Sequence, residues 1–231
     1  MDGHDHEAPR LKQQAPNVAW RADIAMQRAV RDSSTQAAPV LRSVARAANW
    51  WGGTGVVLFA AVLWLGARAF KRRTVARVGL RGAEALAVAS AVSAIIKGLA
   101  GRARPFVTPG EPWHWEFNRG WVEAQFFSMP SGHTTATTAF AVAVTIATIE
   151  WKPARRLALA GPLLVSALVV AFARMYADQH WLSDVIVAEI LGAVTSLILA
   201  RVHAKAQHPG YARVMLGEPV HEADNRVGAT P

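Results

Sequence analysis

The sequence contains no cysteine, which excludes both disulfide bonds and thiolate chemistry. Acidic residues are outnumbered: 16 Asp and Glu stand against 25 Lys and Arg, and the formal net charge is +9. No apolar segment follows the early basic residues, so we expect no secretory signal and targeting by the first transmembrane helix instead.

Apolar residues make up 52% of the 231 residues and are gathered in long runs. Such runs are typical of an integral membrane protein rather than of a soluble core. A positive surplus is also what binding to a nucleic-acid backbone requires. Here, however, much of it lies beside the apolar runs, where it sets topology and contacts anionic lipid head groups. We therefore expect membrane lipids as partners and no nucleic acid.

The polar segments divide the chain into three parts. Residues 1–36 are interpreted as a polar, flexible tail, residues 37–201 as the membrane-embedded domain, and residues 202–231 as a second polar tail. We expect the domain to be an all-α helical bundle.

Inside that domain the spacing of apolar residues changes after residue 51. Residues 38–51 predict an amphipathic helix that lies in the membrane interface and ends at Gly52-Gly53. About five transmembrane helices follow, and we place them at residues 54–70, 80–99, 131–149, 157–173 and 181–200.

Five spans fix which segments share a side of the membrane. The basic segments 68–81 and 151–156 share one side, which the positive-inside rule makes cytoplasmic. Loop 100–130 and turn 174–180 then face the periplasm or the exterior of a bacterial inner membrane. Arg42 and Arg46 precede the first span and would lie on the noncytoplasmic side, so these two basic residues do not fit the positive-inside rule.

The first of three polar clusters contains Lys97 and Arg104, which are seven residues apart. Seven residues are about two helical turns, so both side chains can point to one side. The alternative is an ordinary basic helix end whose side chains reach the lipid head groups.

The second cluster is Pro130-Ser131-Gly132-His133, at the start of an apolar run. Proline suits the first turn of a helix, and Ser131 and Gly132 leave free backbone N–H groups there for an anion. His133 adds a titratable ring. The alternative is a plain helix start with an interfacial histidine.

The third cluster contains Arg174, His180 and Asp184. His180 and Asp184 are four residues apart, on one face of the expected fifth helix and within hydrogen-bonding reach. A carboxylate on one imidazole nitrogen makes the other a better base or nucleophile. The alternative is a structural His–Asp cap.

By the parity of the spans, all three clusters belong on the same side of the membrane. Cations, an anion-ready helix start and a carboxylate-oriented histidine together predict a phosphate site with a nucleophile. The residues are Lys97, Arg104, Arg174, Ser131, Gly132, His133, His180 and Asp184.

These clusters resemble the three-part signature of the type-2 phosphatidic acid phosphatase family, whose superfamily includes vanadium haloperoxidases and some bacterial acid phosphatases. The signature is Lys-x6-Arg-Pro, then Pro-Ser-Gly-His, then Ser-Arg-x5-His-x3-Asp. The first two parts match from Lys97 to Pro105 and from Pro130 to His133. The third matches except that Ala173 replaces the leading serine, which weakens a supporting contact more than the chemistry.

The resemblance implies a metal-independent phosphatase without cofactors. His180 would attack phosphorus to form a phosphohistidine, Asp184 would orient His180, and His133 would protonate the leaving oxygen and then activate water. The cations, Ser131 and Gly132 would hold the phosphoryl oxygens. Four acidic residues of the loops are too scattered to suggest a metal site: Glu111, Glu116, Glu123 and Asp178.

A site at the membrane boundary implies a lipid phosphate as substrate. The tryptophans of loop 100–130 either line an entry for the lipid tail or form an interfacial belt. Three alternatives remain: a lipid phosphotransferase on the same fold, a vanadate-binding haloperoxidase, and a noncatalytic membrane protein that binds lipid phosphates. For Glu84 and Glu189, acidic residues in or near spans, we expect structural pairing.

Overall fold

The computed structural model describes residues 17–205, and its regular elements in that range are helices apart from one isolated bridge between Arg102 and Trp115. The predicted all-α class is confirmed. The seven α-helices of the described range are α1 Val18–Arg31, α2 Ser33–Ala37, α3 Pro39–Ala69, α4 Arg73–Ala100, α5 Gly132–Ala147, α6 Pro153–Tyr176 and α7 Leu182–Lys205.

Four of these helices, α3, α4, α6 and α7, are long and apolar enough to cross a membrane. The remaining predicted span, residues 131–149, corresponds to α5. This helix has 16 residues and is therefore about 24 Å long, shorter than the roughly 30 Å of a hydrocarbon core. It lies between α4, α6 and α7, and almost all its side chains from Thr134 to Val144 are buried. The bundle is built around α5.

Helix α3 is longer than the sequence suggested. The predicted amphipathic segment 38–51 is helical, but it does not end at Gly52-Gly53. Both glycines lie in a π-helical turn, Trp51–Gly55, and a second π-turn follows at Val62–Gly66. Because a π-turn keeps the backbone hydrogen-bonded, the helix continues without a break into the first span.

Helix α1 occupies part of the segment that the sequence assigned to a flexible tail. The side chain of Asn17 caps the helix by accepting a hydrogen bond from the Trp20 N–H at 2.8 Å. Its buried face includes Ile24 and Val30, and Val30 packs in a cluster with Val185 of α7. Residues 18–31 are therefore part of the folded bundle. Residues 1–16, and residues 206–231 of the second tail, lie outside the described range.

The surface of the bundle is apolar where lipid tails would contact it. Inside, the Phe140 ring of α5 meets Phe59 of α3 edge-on, with 5.9 Å between centroids. Outside, large aliphatic side chains of all four long helices are exposed, as expected for helices in a bilayer. They include Val57, Leu65, Ile95, Leu99, Val165, Leu168, Ile190 and Leu197.

Glu84 and Glu189, the two glutamates in or near spans, differ in their ion pairing. Oε2 of Glu84 lies 3.3 Å from Nη1 of Arg81 and 3.3 Å from Nε2 of His203, so the structural pairing expected for Glu84 is seen. Glu189 is half-buried on α7, and no basic side chain of residues 17–205 lies within 4.0 Å of its carboxylate.

Candidate active site

The loop between α4 and α5 is fastened to the end of α4. Gly101 ends the helix in the left-handed conformation, with φ of 58°, and its N–H donates to the carbonyl of Lys97 at 3.2 Å. A Cβ at this position would lie 1.7 Å from the carbonyl oxygen of Glu116. The glycine therefore permits both the turn and the close return of the loop, and it directs Arg102 into the protein.

Lys97 reaches from the last turn of α4 to the chain just before the second motif. Its Nζ donates to the carbonyls of Phe127 and Ser128, each at 3.0 Å, and lies 5.0 Å from the centre of the Phe127 ring. Its stem faces Gly132, where an added Cβ would lie 3.5 Å from Cε. The first and second motifs are thus in contact.

The second motif opens α5 with Ser131 at the N-cap and Gly132 as the first helical residue, so Pro130 precedes the helix instead of lying in its first turn. Contrary to the prediction from the sequence, the Ser131 N–H is not free for an anion, because it donates to the backbone carbonyl of Asp184 at 3.1 Å. This hydrogen bond joins the second motif to the third. The Ser131 hydroxyl accepts a hydrogen bond from Thr134 Oγ1 at 3.0 Å.

His133 packs against the π-turn of α3. A Cβ added to Gly53 would lie 3.0 Å from Nε2 of His133, and one added to Gly52 would lie 3.2 Å from its Cβ. Both contacts are tighter than ordinary van der Waals distances. Gly52 and Gly53, which the sequence suggested as a helix end, therefore form the surface of α3 against which the His133 side chain packs.

His180 and Asp184 are neighbours, but not on one helical face. Helix α7 begins at Leu182, and His180 lies in the preceding turn. Its Nδ1 lies 3.6 Å from Oδ2 of Asp184, which is an electrostatic contact longer than a hydrogen bond. Asp184 also accepts a hydrogen bond from the Trp181 N–H at 2.9 Å, as the third residue of a capping box does.

The environment of His180 keeps its ring neutral. The side chain is almost fully buried, and burial is the main cause that lowers the pKa of His180 to about 3. The carboxylate of Asp184 raises the pKa, whereas the positive charges of Lys97 and Arg174 lower it further. A neutral imidazole is the form that can act as a nucleophile.

Asp184 is held by two residues that the sequence analysis did not select. Its Oδ1 lies 2.5 Å from Nη1 of Arg102, and its Oδ2 accepts a hydrogen bond from Ser128 Oγ at 2.6 Å. Nη2 of Arg102 lies 2.8 Å from Oδ2 of Asp23 in α1. All three charged side chains are buried, so α1 is tied to the site by a closed ionic network.

Ser183 completes this network. Its N–H and its hydroxyl both donate to the Asp23 carboxylate at 2.7 Å, and its Oγ lies 2.8 Å from Nη1 of Arg102. A signal for Asp23 does exist in the sequence, because Asp23, Gln27 and Val30 recur at helical spacing on the face that proves to be buried.

The two remaining predicted cations line the same region. Arg174 Nη1 donates to Oδ1 of Asn49 at 3.0 Å, while its buried Nε has no acceptor among residues 17–205. Arg104 donates through Nε to the Ala124 carbonyl at 3.0 Å and through Nη1 to Oε1 of Gln179, next to His180. Ala173, which replaces the family serine, is fully buried against α3.

Three of the four scattered acidic residues of the loops are engaged with arginines. Glu116 and Glu123 both pair with Arg119, and Asp178 pairs with Arg31. Within residues 17–205, no group of three or more His, Asp or Glu side chains is arranged to hold a metal ion. The charges available to an anion at this site are therefore those of Lys97, Arg104 and Arg174.

The fold and the convergence of the motifs define a helical protein of membrane type whose polar centre combines three cations, two histidines and a buried carboxylate. The chain belongs to the PAP2 superfamily, whose family model matches residues 79–208, more than half of its length. The resemblance seen in the three motifs is thereby confirmed. A search of curated proteins gives no match.

One solved structure with this fold is a transmembrane PAP2-type phosphatidylglycerolphosphate phosphatase from Bacillus subtilis. It aligns with a TM-score of 0.60 and 19% sequence identity, over 83% of this chain and 89% of that one. Family and fold together support an integral membrane protein and a lipid phosphatase in general.

Proposed function

We propose that the protein hydrolyses a phosphomonoester or diphosphate of a membrane lipid through a phosphohistidine on His180, without a metal ion. The observation that supports this most strongly is the position of His180: buried and neutral, beside the Asp184 carboxylate, and close enough to Lys97 and Arg174 for their charges to lower its pKa. A neutral nucleophile with two cations nearby suits an anionic phosphoryl group.

In the first step, Nε2 of His180 attacks phosphorus while Asp184 stabilises the positive charge that develops on the ring through Nδ1. The leaving alkoxide takes a proton from the imidazolium form of His133, which the negative charge of the bound phosphate stabilises. In the second step, neutral His133 takes a proton from water, which attacks the phosphohistidine and releases phosphate from His180.

The phosphoryl oxygens need donors that stay in place throughout. Arg174 offers its buried Nε, which has no acceptor in the described range, and the first turn of α5 offers backbone N–H groups. Lys97 and Arg104 add charge. These cations do the work that Mg²⁺ does in many phosphoryl-transfer enzymes, so no metal is required for charge neutralisation.

The same proposal places the site on the outer face of a bacterial inner membrane. Basic side chains crowd the opposite ends of the long helices, around the α3–α4 turn and the α5–α6 turn, which favours a cytoplasmic location for those ends. They are Arg68, Lys71, Arg72, Arg73, Lys152, Arg155 and Arg156.

The test is release of inorganic phosphate from a panel of lipid phosphates by protein purified in detergent. We expect His180→Ala to lower the rate about 10³-fold or more. His114→Ala is the matched control, because the His114 ring lies in the loop between α4 and α5 and contacts Glu116 and Phe126 instead of the site. Excess EDTA should leave wild-type activity intact.

The covalent step has its own test. With a ³²P-labelled lipid phosphate and rapid quenching, label should remain on the wild-type protein in an acid-labile, base-stable form and be absent from His180→Ala. Loss of activity in EDTA that Mg²⁺ restores would overturn metal independence. Transfer of label to a second lipid without free phosphate would identify a phosphotransferase.

A further inference from the structure

A cavity of about 640 Å³ lies beside the candidate active site, on the side of Arg174. Its wall is formed by the first turns of α3 and by the turn after α6. Three arginines line it, Arg31, Arg42 and Arg46, together with the polar side chains of Ser43 and Asn49. The catalytic scheme above uses none of these five residues.

The charge of this cavity is strongly positive. Its carboxylate, Asp178, already forms an ion pair with Arg31. By contrast, no carboxylate of residues 17–205 lies within 4.0 Å of Arg42 or Arg46, and Arg42 makes only a long contact to the Ala37 carbonyl at 3.4 Å. Two guanidinium groups are thus available to an anion.

The cavity is connected to the phosphate site by one face of α3. Arg42, Arg46 and Asn49 are spaced i, i+4 and i+7, so they lie in a row about 10 Å long. At the end of that row, Oδ1 of Asn49 accepts the 3.0 Å hydrogen bond from Arg174. An anion bound by Arg42 and Arg46 would therefore be separated from the proposed phosphate site at Arg174 by no more than the length of one lipid head group.

The length of α3 sets the depth of this row. The helix has 31 residues, which is about 46 Å, or about 16 Å more than a hydrocarbon core. Its segment 47–67 carries no charge and by itself has the length of a span. Arg42 and Arg46 therefore extend into the layer of lipid head groups, at the level where phosphate groups lie.

We propose that this cavity is a second anion site that takes a phosphate group of a lipid head group. The guanidinium forks of Arg42 and Arg46 bind its oxygens, and the start of α3 at Pro39 adds the positive end of the helix dipole. The phosphate belongs either to the substrate, as its second phosphate, or to a neighbouring anionic lipid. This deepens the proposed function and rests on it for the substrate.

The first experiment compares two short-chain substrates that differ by one phosphate, dioctanoylglycerol phosphate and dioctanoylglycerol diphosphate. The measured quantity is the ratio of kcat/KM for the diphosphate to kcat/KM for the monophosphate. If the second phosphate of the substrate fills the cavity, this ratio should fall about tenfold in R42Q/R46Q, as loss of two charge-assisted contacts at a half-open site implies. R21Q/R28Q removes the same charge from exposed positions of α1 outside the cavity and should keep the wild-type ratio.

The second experiment identifies the source of the phosphate. The monophosphate is hydrolysed in phosphatidylcholine nanodiscs with increasing phosphatidylglycerol. If a neighbouring lipid fills the cavity, the wild-type rate depends on the phosphatidylglycerol fraction and R42Q/R46Q loses that dependence. If the second phosphate of the substrate fills it, both proteins respond alike and only the ratio changes.

Direct binding separates failure of this proposal from failure of the proposed function. If the substrate supplies the phosphate, calorimetric titration of the His180→Ala protein with both short-chain lipids should show tighter binding of the diphosphate, and the preference should disappear when R42Q/R46Q is added. If a neighbouring lipid supplies it, phosphatidylglycerol should bind the His180→Ala protein more tightly than it binds the protein that also carries R42Q/R46Q. If the wild-type protein shows no phosphatase activity but keeps this binding preference, only the proposed function is overturned. If R42Q/R46Q matches R21Q/R28Q in the substrate ratio, the lipid dependence and the titration, the second anion site is overturned.

Discussion

Arg102 and Asp184 form a buried ion pair, with Nη1 of the arginine 2.5 Å from Oδ1 of the aspartate. Both side chains are at most 1% exposed. The same guanidinium binds Asp23, so one arginine connects the carboxylate beside His180 to the first helix of the described chain. The orientation of Asp184 therefore depends on residues that contact no substrate.

Replacement of Arg102 should be costly. In Arg102→Met, the carboxylates of Asp23 and Asp184 are left buried without their partner, and we expect the free energy of unfolding to fall by about 3–5 kcal/mol. Denaturant titration in detergent measures this change. Arg28→Met, at an exposed position of α1, is the control and should stay within about 0.5 kcal/mol of wild type. Equal stability of the two variants would contradict the importance of the pair.

Ser128→Ala should affect turnover more than binding. The serine hydroxyl donates to Oδ2 of Asp184 at 2.6 Å, the oxygen nearest Nδ1 of His180. Because a hydrogen bond to a charged group contributes about 1.5–3 kcal/mol, its loss should lower kcat about tenfold while KM changes little. Ser93→Ala is the matched control, since the buried Ser93 hydroxyl has no partner in the described range. A change confined to KM would argue against this role.

A methyl group at position 53 should disturb His133. In Gly53→Ala the new Cβ would lie 3.0 Å from Nε2, so the ring must move away from its acid–base position. We expect kcat to fall by about 10²-fold, the lower end of what general acid–base catalysis contributes. Gly66→Ala in the same helix meets nothing within 4 Å and should keep full activity. Unchanged kcat in Gly53→Ala would show that His133 does not need this packing.

His180 should not titrate near neutral pH. Since burial lowers its pKa to about 3, the ring is neutral at pH 7 and stays so as the pH falls to 5. NMR of protein labelled at the histidine Cε1 carbon in micelles can follow this, with the His180 resonance identified by its loss in a His180→Ala sample. Its chemical shift should stay constant between pH 8 and 5. A titration midpoint near 6.5 would contradict the neutral buried ring.

The sequence predicted the elements of the site better than the contacts between them. The motifs selected Lys97, His133, His180 and Asp184. The apolar runs located the four long helices but not all their starts, since α3 begins 15 residues and α4 seven residues before the predicted spans. The i, i+4 spacing correctly brought His180 near Asp184, although the turn before α7 rather than a helical face does so.

What the sequence did not reveal was non-local. Arg102 appeared to be one more basic residue at a helix end, because its partners Asp23 and Asp184 lie 79 and 82 positions away in the chain. Gly52-Gly53 resembled a helix end because glycine usually ends helices. Here the helix continues through a π-turn, and the absent side chains make room for His133.

The contacts of Asp23 also have a consequence for biogenesis. Its partners Arg102 and Ser183 are separated from it by 79 and 160 positions, so they leave the ribosome long after it does. During synthesis, the contacts of this carboxylate cannot all form until α7 has been inserted. The ionic network around Asp184 is thus completed only when α7 is in place, and a chain that stops before α7 lacks Asp184 itself.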